Sequence, residues 1–303
     1  MLPKVAIVVL NTNRRDDTLA CLASLQRLDY PYIEILVVDN ASTDGSVSAI
    51  PQHYPGVTLI ESGSNLGYVG GNNLGIKHAL ACGADYVLIL NEDTIVDRQL
   101  VRELVAVADS DSAVGVVGPK VYYYDMPDVI QSVGGGFTRD GNSFLRGADE
   151  VDQGQYDEPK EVDWISGCAM LVKRRVLEQI GLFDPAFFMS WEDTDYCVRV
   201  RRAGYKVMVA PAARLWHKGA PRGEVPTPRM VYYRARNRLL FLRKNGAGWG
   251  RLLSAVTQNV RTLLSWSVRP KWRDRRPAHR NALMLALLDF CRGRTGYRGD
   301  IFP

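Results

Sequence analysis

One feature constrains this chain more than any other. Through its first half, short runs of Val, Ile and Leu alternate with stretches of helical periodicity. The spacing predicts strands over Lys4–Leu10, Ile33–Asp39, Val57–Glu61, Tyr86–Asn91 and Ala113–Gly118. It predicts helices over Asp16–Leu28, Thr43–His53, Val69–Ala81 and Asp97–Ala108. Strands that are apolar on both sides and separated by helices indicate an α/β chain with a mostly parallel sheet covered on both faces. Such sheets bind ligands beyond the carboxyl ends of their strands. Three polar clusters fall at strand ends: Asn11-Thr12-Asn13, Asp39-Asn40-Ala41-Ser42 and Asn91-Glu92-Asp93. They are expected to meet on one edge of the sheet.

The pattern breaks between Val121 and Asp163, where Tyr122-Tyr123-Tyr124, Gly134-Gly135-Gly136 and the acidic stretch Asp149–Glu161 suggest short hairpins and a mobile loop. That acidic stretch is a candidate lid. Order returns over Val162–Val172, with helices near Arg174–Ile180 and Glu192–Ala203 and a strand at Lys206–Ala210. Pro221, Pro226 and Pro228 mark a linker, and Met230–Lys244, Trp249–Trp266 and Ala278–Arg292 have helical patterns. The expected division is an α/β unit over 1–220 and a helical extension over 229–303.

Charge follows the same division. Residues 229–303 hold 17 Lys and Arg against Asp274, Asp289 and Asp300, a balance of +14; with +5 for the whole chain, the remainder carries −9. A basic tail on an acidic body implies an anionic partner, membrane phospholipid or nucleic acid. Tyr232, Tyr233, Trp249, Trp266 and Trp272 among those cations suit either base stacking or the headgroup level of a membrane, and a peripheral membrane contact is the preferred expectation over nucleic acid. The tail could instead pack on the body or on a second subunit, as in a homodimer. Cys21, Cys82, Cys168, Cys197 and Cys291 form no C-x-x-C pair, which argues against a zinc site or disulfide framework. No apolar run approaches the roughly 18 residues that cross a bilayer, and no signal peptide is visible, so the expectation is a cytoplasmic protein.

The clusters carry distinct chemistry. Carboxylates at the end of Tyr86–Asn91 offer hard oxygen ligands for Mg²⁺ or Mn²⁺, which takes one or two carboxylates plus phosphate oxygens; otherwise they form a solvated turn before a helix capped by Asp97. Asp39 at a strand end can accept the N3–H of uracil or thymine, a donor that cytosine and adenine lack. A cap role suits Asp44 or Thr43 better than Asp39. In Asn65-Leu-Gly-Tyr-Val-Gly-Gly-Asn-Asn, glycines would let backbone approach a phosphate or sugar, or would let a helix pack closely; the G-x-G-x-x-G spacing of a dinucleotide site is missing. In Ser190-Trp191-Glu192-Asp193, Ser190 and Asp193 have capping-box spacing. Trp191 is a natural sugar platform, and Asp193 a candidate general base. His217 could complete a metal site or be structural.

Taken in order, these segments resemble the family-2 inverting glycosyltransferases of GT-A fold, from Pro3 to Gly219. The match rests on the strand-end Asp39 with Asn-Ala-Ser-Thr-Asp-Gly-Ser, the Asn65–Asn73 segment, a D-x-D-like Asn91-Glu92-Asp93, then Trp191-Glu192-Asp193, then Trp216-His217. The resemblance implies a nucleotide-sugar-binding and catalytic GT-A unit over 1–220. Asn11, Asp39, Asn65, Gly71, Asn72 and Asn91 would line the donor, with Asp93 and His217 on the metal. Asp193 would be the base, with Trp191, Glu192 and Asp195 toward the acceptor. Asn91 stands where the family often has Asp, and Glu92 is an alternative carboxylate ligand.

The Asn65–Asn73 segment is most similar to the subgroup that uses dTDP-rhamnose or UDP-galactofuranose. This implies rhamnosyl transfer to a glycan or lipid-linked acceptor in polysaccharide or cell-wall assembly, with UDP-galactofuranose or a UDP-hexose as the alternative donor. The basic tail is similar to subgroup tails that dock on the inner membrane face. A nucleotidyltransferase is the competing enzyme class, although no basic Gly-rich phosphate loop lies near the start.

Overall fold

The structure, a computed structural model, describes residues 2–219, 225–268 and 276–299. Pro221 of the expected linker and Trp272 of the tail lie outside these residues. The strands are β1 (Val5–Asn11), β2 (Ile33–Asp39), β3 (Thr58–Glu61), β4 (Tyr86–Asn91), β5 (Thr94–Val96), β6 (Val114–Tyr123), β7 (Ile130–Ser132), β8 (Gly135–Phe137), β9 (Ser143–Leu145), β10 (Lys160–Glu161), β11 (Ala169–Lys173) and β12 (Lys206–His217). The helices are α1 (Arg15–Leu25), α2 (Ser46–His53), α3 (Gly67–Ala81), α4 (Leu100–Ser110), α5 (Arg174–Ile180), α6 (Glu192–Arg202), α7 (Pro228–Lys244), α8 (Trp249–Val268) and α9 (Arg276–Cys291).

The architecture is α/β, as the alternation predicts. The main sheet runs β10-β12-β6-β11-β4-β1-β2-β3, with β5 on β12 and β7 on β6. Its β4-β1-β2-β3 portion is parallel, while β11 inserts antiparallel between β4 and β6. The sheet is therefore mixed. Successive strand residues point to opposite faces, and β1 is buried along its whole length. Ala6, Val8 and Leu10 join Leu36, Val38, Ile76 and Val69 on one face. Val5, Ile7 and Val9 join Leu22, Leu25, Leu104 and Val105 on the other. Each of these Val, Ile and Leu side chains, fully buried, contributes about 1.5–3 kcal/mol.

The first face extends into the tail. Leu239–Leu242 of α7 share it with the sheet residues, and α9 packs against α7. Helix α7 starts where local chemistry dictates: Thr227 accepts a hydrogen bond from the Met230 amide and Pro228 occupies the first turn.

The acidic segment 149–161, expected as a mobile lid, is tied to the sheet through an ion-pair cluster. The Lys120 side chain on β6 is wholly buried, and its ammonium donates to Asp152 (2.8 Å) and Asp157 (2.7 Å). Tyr122 also donates to Asp152 at 2.5 Å. A buried ammonium needs such partners, and charge patterning alone does not reveal them. Burial opposes the Asp152 charge, but the Lys120 and Tyr122 hydrogen bonds outweigh it and pull the carboxyl down to about 2. A depressed folded pKa means that this contribution is present above the ordinary carboxylate range and lost as pH falls toward 2. Asp152→Ala should cost about 1–3 kcal/mol, because Lys120 keeps Asp157 while it and Tyr122 each lose one acceptor. Thermal unfolding at neutral pH measures it, and an unchanged melting temperature would refute the anchoring.

Candidate active site

The three polar clusters meet at the carboxyl ends of β1, β2 and β4. Asn11 lies opposite Asp39, and Leu10 opposite Asn91. Asp39 is buried, and its carboxylate is engaged: Oδ1 accepts from Asn11 Nδ2 (2.7 Å) and Oδ2 from the Ser42 amide (2.9 Å). It therefore ties the loops after β1 and β2 together, leaving each oxygen one further lone pair. The cap expected of Asp44 falls to Gly45, which makes no side-chain cap hydrogen bond; Asp44, one residue earlier, accepts from the Ser46 and Arg15 amides.

A tight turn follows β4: Thr94 Oγ1 donates to Asn91 O at 2.8 Å, and β5 then pairs antiparallel with β12. This brings His217, far away in sequence, beside Asp93. Its Nε2 lies 3.1 Å from Asp93 Oδ1 and 3.5 Å from Asn91 Nδ2. Gln131 Oε1 sits 2.7 Å from Nδ1 and so orients the ring with Nε2 toward Asp93. Asp93 Oδ1 is buried and has no hydrogen bond of good geometry. A carboxylate oxygen without a well-formed hydrogen bond, beside an imidazole nitrogen, is a donor set that fits Mg²⁺ or Mn²⁺. Despite burial, His217 and Arg14 hold the Asp93 carboxyl below the usual range. Burial and the neighbouring Asp93 push Glu92 up to about 8. Arg14 lies 3.7 Å from Asp93 and 4.0 Å from Glu92. Gln131 and Arg14 escaped the sequence reading. Gln131 sits in the stretch without periodicity, and Arg14 is one arginine among many.

Trp191-Glu192-Asp193 lies close by. The Cys168 carbonyl accepts from the Asn91 amide at 2.9 Å, while the adjacent Gly167 amide donates to Asp193 Oδ2 at 2.9 Å. The expected Ser190–Asp193 capping box does not form. Trp191 is the N-cap residue, in a left-handed conformation, with no side-chain cap; Asp193 turns toward Gly167 and the Thr194 amide instead. Phe188, Ser190 and Trp191 all have positive φ, a cost of order 1 kcal/mol each. Burial pushes the Asp193 carboxyl up, and the Gly167 and Thr194 hydrogen bonds oppose that only in part. Trp191 packs its ring on Phe241, with centroids 5.1 Å apart. Glu192 is buried and, with Asp193 beside it, is pushed far up.

Two residues do not stand where the sequence reading put them. Asp195 is wholly buried and bonded to Arg199 (2.9 Å), Lys244 (2.8 Å) and Asn245 (3.0 Å), so it offers nothing to an acceptor. Gly71 faces the sheet: a Cβ there would lie 2.3 Å from Leu10 Cδ1, and one at Gly75 2.3 Å from Val8 Cγ1. These glycines let α3 lie close on β1 and do not cradle a phosphate. Gly71→Ala should destabilise by about 1–3 kcal/mol through overpacking, a fall visible in thermal melting; no change would restore the ligand reading. Asn65 shapes its turn by accepting from Asn40 and the Gly67 amide. Asn72 is buried, donates to Tyr68 O, and leaves Oδ1 without a protein donor.

Residues 6–181 match the model of glycosyl transferase family 2. The chain is 31% identical over 251 residues to the N-acetylglucosaminyl-diphospho-decaprenol L-rhamnosyltransferase of Mycobacterium tuberculosis, an alignment covering 76% of this chain and 81% of the relative. It is 26% identical over 276 residues to a dTDP-rhamnosyl transferase of Shigella flexneri, covering 86% and 87%. Among solved structures, a mannosyltransferase from Pyrobaculum calidifontis in complex with GDP-Man and Mn²⁺ superposes with a TM-score of 0.61 at 18% identity, covering 97% of this chain and 88% of that one.

Proposed function

The chain belongs to glycosyl transferase family 2, and on that premise we propose that it transfers rhamnose from dTDP-rhamnose, with inversion, to a hydroxyl of a lipid-linked glycan. It is a nucleotide-sugar glycosyltransferase of GT-A fold. The observation that carries the mechanism is the pairing of Asp93 Oδ1 with His217 Nε2 at 3.1 Å, with Asp193 tied to the same strand end through Gly167 and Cys168. Asp93 and His217 would hold Mg²⁺ or Mn²⁺, which neutralises charge building on a departing diphosphate. Asp39 and Asn11 hold the base, and Asn72 Oδ1 offers an acceptor to the donor sugar. Asp193 Oδ2 takes the proton of the acceptor hydroxyl as it attacks the anomeric carbon from the side opposite the diphosphate. The two relatives named for rhamnosyl transfer support the choice of donor, and the decaprenyl-linked substrate in the Mycobacterium name supports a lipid-linked acceptor.

Calorimetric titration of nucleoside diphosphates with Mn²⁺ tests the base assignment. dTDP and UDP should bind, and CDP and ADP should not, because only the first two carry the N3–H that Asp39 accepts. Equal binding of CDP would remove that role from Asp39.

The tail is proposed to dock on an anionic membrane. On α8 the outward face is apolar: Trp249 is 86% exposed, Leu253 67%, Val260 41% and Leu264 60%. The helix carries Arg251 and Arg261 and no acidic residue, and the segment 269–276 adds Arg269, Lys271, Arg273, Arg275 and Arg276 against Asp274. A symmetric dimer through α8 would bring Arg251 and Arg261 of the two copies together, whereas an anionic surface neutralises a basic sequence. No helix among the described residues is long and apolar enough to cross a membrane. Flotation with anionic liposomes should therefore carry the protein up, and a Trp249→Ser, Leu253→Ser, Leu264→Ser variant should stay behind. Equal flotation of the variant, or a dimer that the variant dissolves, would reject membrane docking.

A further inference from the structure

The segment that enters α6 follows a path its own residues do not favour. Phe188, Ser190 and Trp191 have φ of 62°, 67° and 74°, and none is glycine. The left-handed region is avoided by L side chains, so a path with three such residues persists only if its surroundings hold it. The surroundings come from α7. Asn237 is wholly buried, and its Nδ2 lies 2.7 Å from Phe187 O, 2.7 Å from Met189 O and 2.9 Å from Ser190 O. One amide group thus gathers three carbonyls on consecutive turns of the loop, sharing one of its two hydrogens.

The orientation of that amide is set by its neighbour. Arg236, 1% exposed, donates Nε to Asn237 Oδ1 at 2.9 Å, so the amide oxygen faces the guanidinium and only the NH₂ can face the loop. Arg236 is held in turn: Nη1 donates to Gly296 O (2.8 Å) and to Tyr232 Oη (3.1 Å), and Tyr232 donates to Asp289 of α9 (2.7 Å). Nη2 reaches the carbonyls of Ala186 and Phe187 at 3.4 Å. A second tether comes from the sheet side, where the Val69 amide donates to Phe188 O at 3.0 Å.

We propose that Asn237, oriented by Arg236, is a positioning residue for sugar transfer: it clamps the left-handed 187–191 segment and thereby sets Trp191 and Asp193 against the donor. The inference rests on Asp193 being the base. It makes the C-terminal helices part of the active site, because the side chain that fixes the loop is borne by α7 and braced from α9. The clamp acts through geometry alone and touches neither substrate nor metal.

The full-length protein carries the test. Asn237→Asp has nearly the same size but presents an acceptor to three carbonyls, and Asn237→Ala removes the group. Both are compared with wild type and Asp193→Asn by steady-state kinetics, calorimetric binding of dTDP with Mn²⁺, thermal melting, and amide hydrogen exchange over 186–193. Both Asn237 variants should raise exchange in that segment and lower kcat at least 30-fold, with the donor KM and dTDP affinity within twofold of wild type. Unchanged exchange overturns the clamp. Raised exchange with kcat near wild type overturns the positioning role. A kcat loss matched by the unfolded fraction in the melt, or near-wild-type kcat for Asn237→Asp alone, reduces Asn237 to a packing residue. Full activity in Asp193→Asn sinks the base assignment by itself; a kcat loss in the Asn237 variants at constant donor KM would still support the clamp.

Discussion

Replacing Asp193 with Asn is expected to lower kcat by about 10²–10⁴-fold, the range for loss of a positioned general base, while dTDP–Mn²⁺ binding stays near wild type and the melting temperature falls only modestly. Asn keeps one acceptor oxygen for the Gly167 amide, so the 2.9 Å link to the segment beside Asn91 survives, while its NH₂ replaces the oxygen that accepts from the Thr194 amide, a loss of about 1–3 kcal/mol. What it removes is the capacity to take a proton. The pH profile adds a second constraint. A base must be deprotonated to act, so the rate falls as pH drops through its pKa. Burial raises the Asp193 carboxyl above its ordinary value, and the acid limb of kcat/KM should lie above the usual aspartate range. In Asp193→Asn that limb should vanish from the residual activity. A limb that persists unchanged would assign it to another group.

Replacing Asp93 with Ala is expected to abolish the metal-dependent rate, a loss of about 10²–10³-fold, comparable to removing one pre-organised electrostatic contact in an active site. The loss should not be rescued by ordinary Mn²⁺ concentrations. Asp93 is 7% exposed and its Oδ1 has no other occupation in the fold, so the substitution should leave melting nearly intact or slightly raised. His217→Ala should weaken Mn²⁺ in the same titration. Gln131→Ala, which frees Nδ1 of its 2.7 Å partner, should do so by a smaller factor of about 10–100, as outer hydrogen bonds to metal ligands do. If Asp93→Ala keeps its activity and its response to metal, the cation is held elsewhere, and Glu92 is the next residue to change.

The legible part of this molecule was the part governed by local periodicity. β4 and α5 run over the residues that the pattern of apolar positions predicts, because each is bounded by its own sequence. Long-range pairing was not legible. β5 is three residues long and gains its identity from β12, and β12 runs past Ala210 to His217 because β6 and β5 pair with it. The same pairing brings His217 to Asp93. No spacing in the sequence announces that contact, and only the resemblance to a family linked the two positions.

The misplacements have the same origin. Ser190 and Asp193 have capping-box spacing, but Trp191 takes a left-handed conformation that rules the box out. Asp195 carries the charge of an acceptor contact, yet Arg199 and Lys244 close over it. Gly71 reads as a phosphate glycine until Leu10 is found on its open side. For Asp195 and Gly71, Lys244 and Leu10, both distant in sequence, decide between readings that local chemistry left equal. Lys120 is the plainest example: a lysine in an apolar strand is explained only by Asp152 and Asp157, more than thirty residues away.

The most direct test of the account is turnover of a panel of nucleotide sugars by the wild-type protein with Mg²⁺ or Mn²⁺, followed as release of nucleoside diphosphate. Release is expected from dTDP-rhamnose, little from GDP- or ADP-sugars, none after chelation of the metal, with an inverted anomeric centre in the product. Turnover of no nucleotide sugar, even with a lipid-linked glycan supplied, or a product of retained configuration, would contradict it.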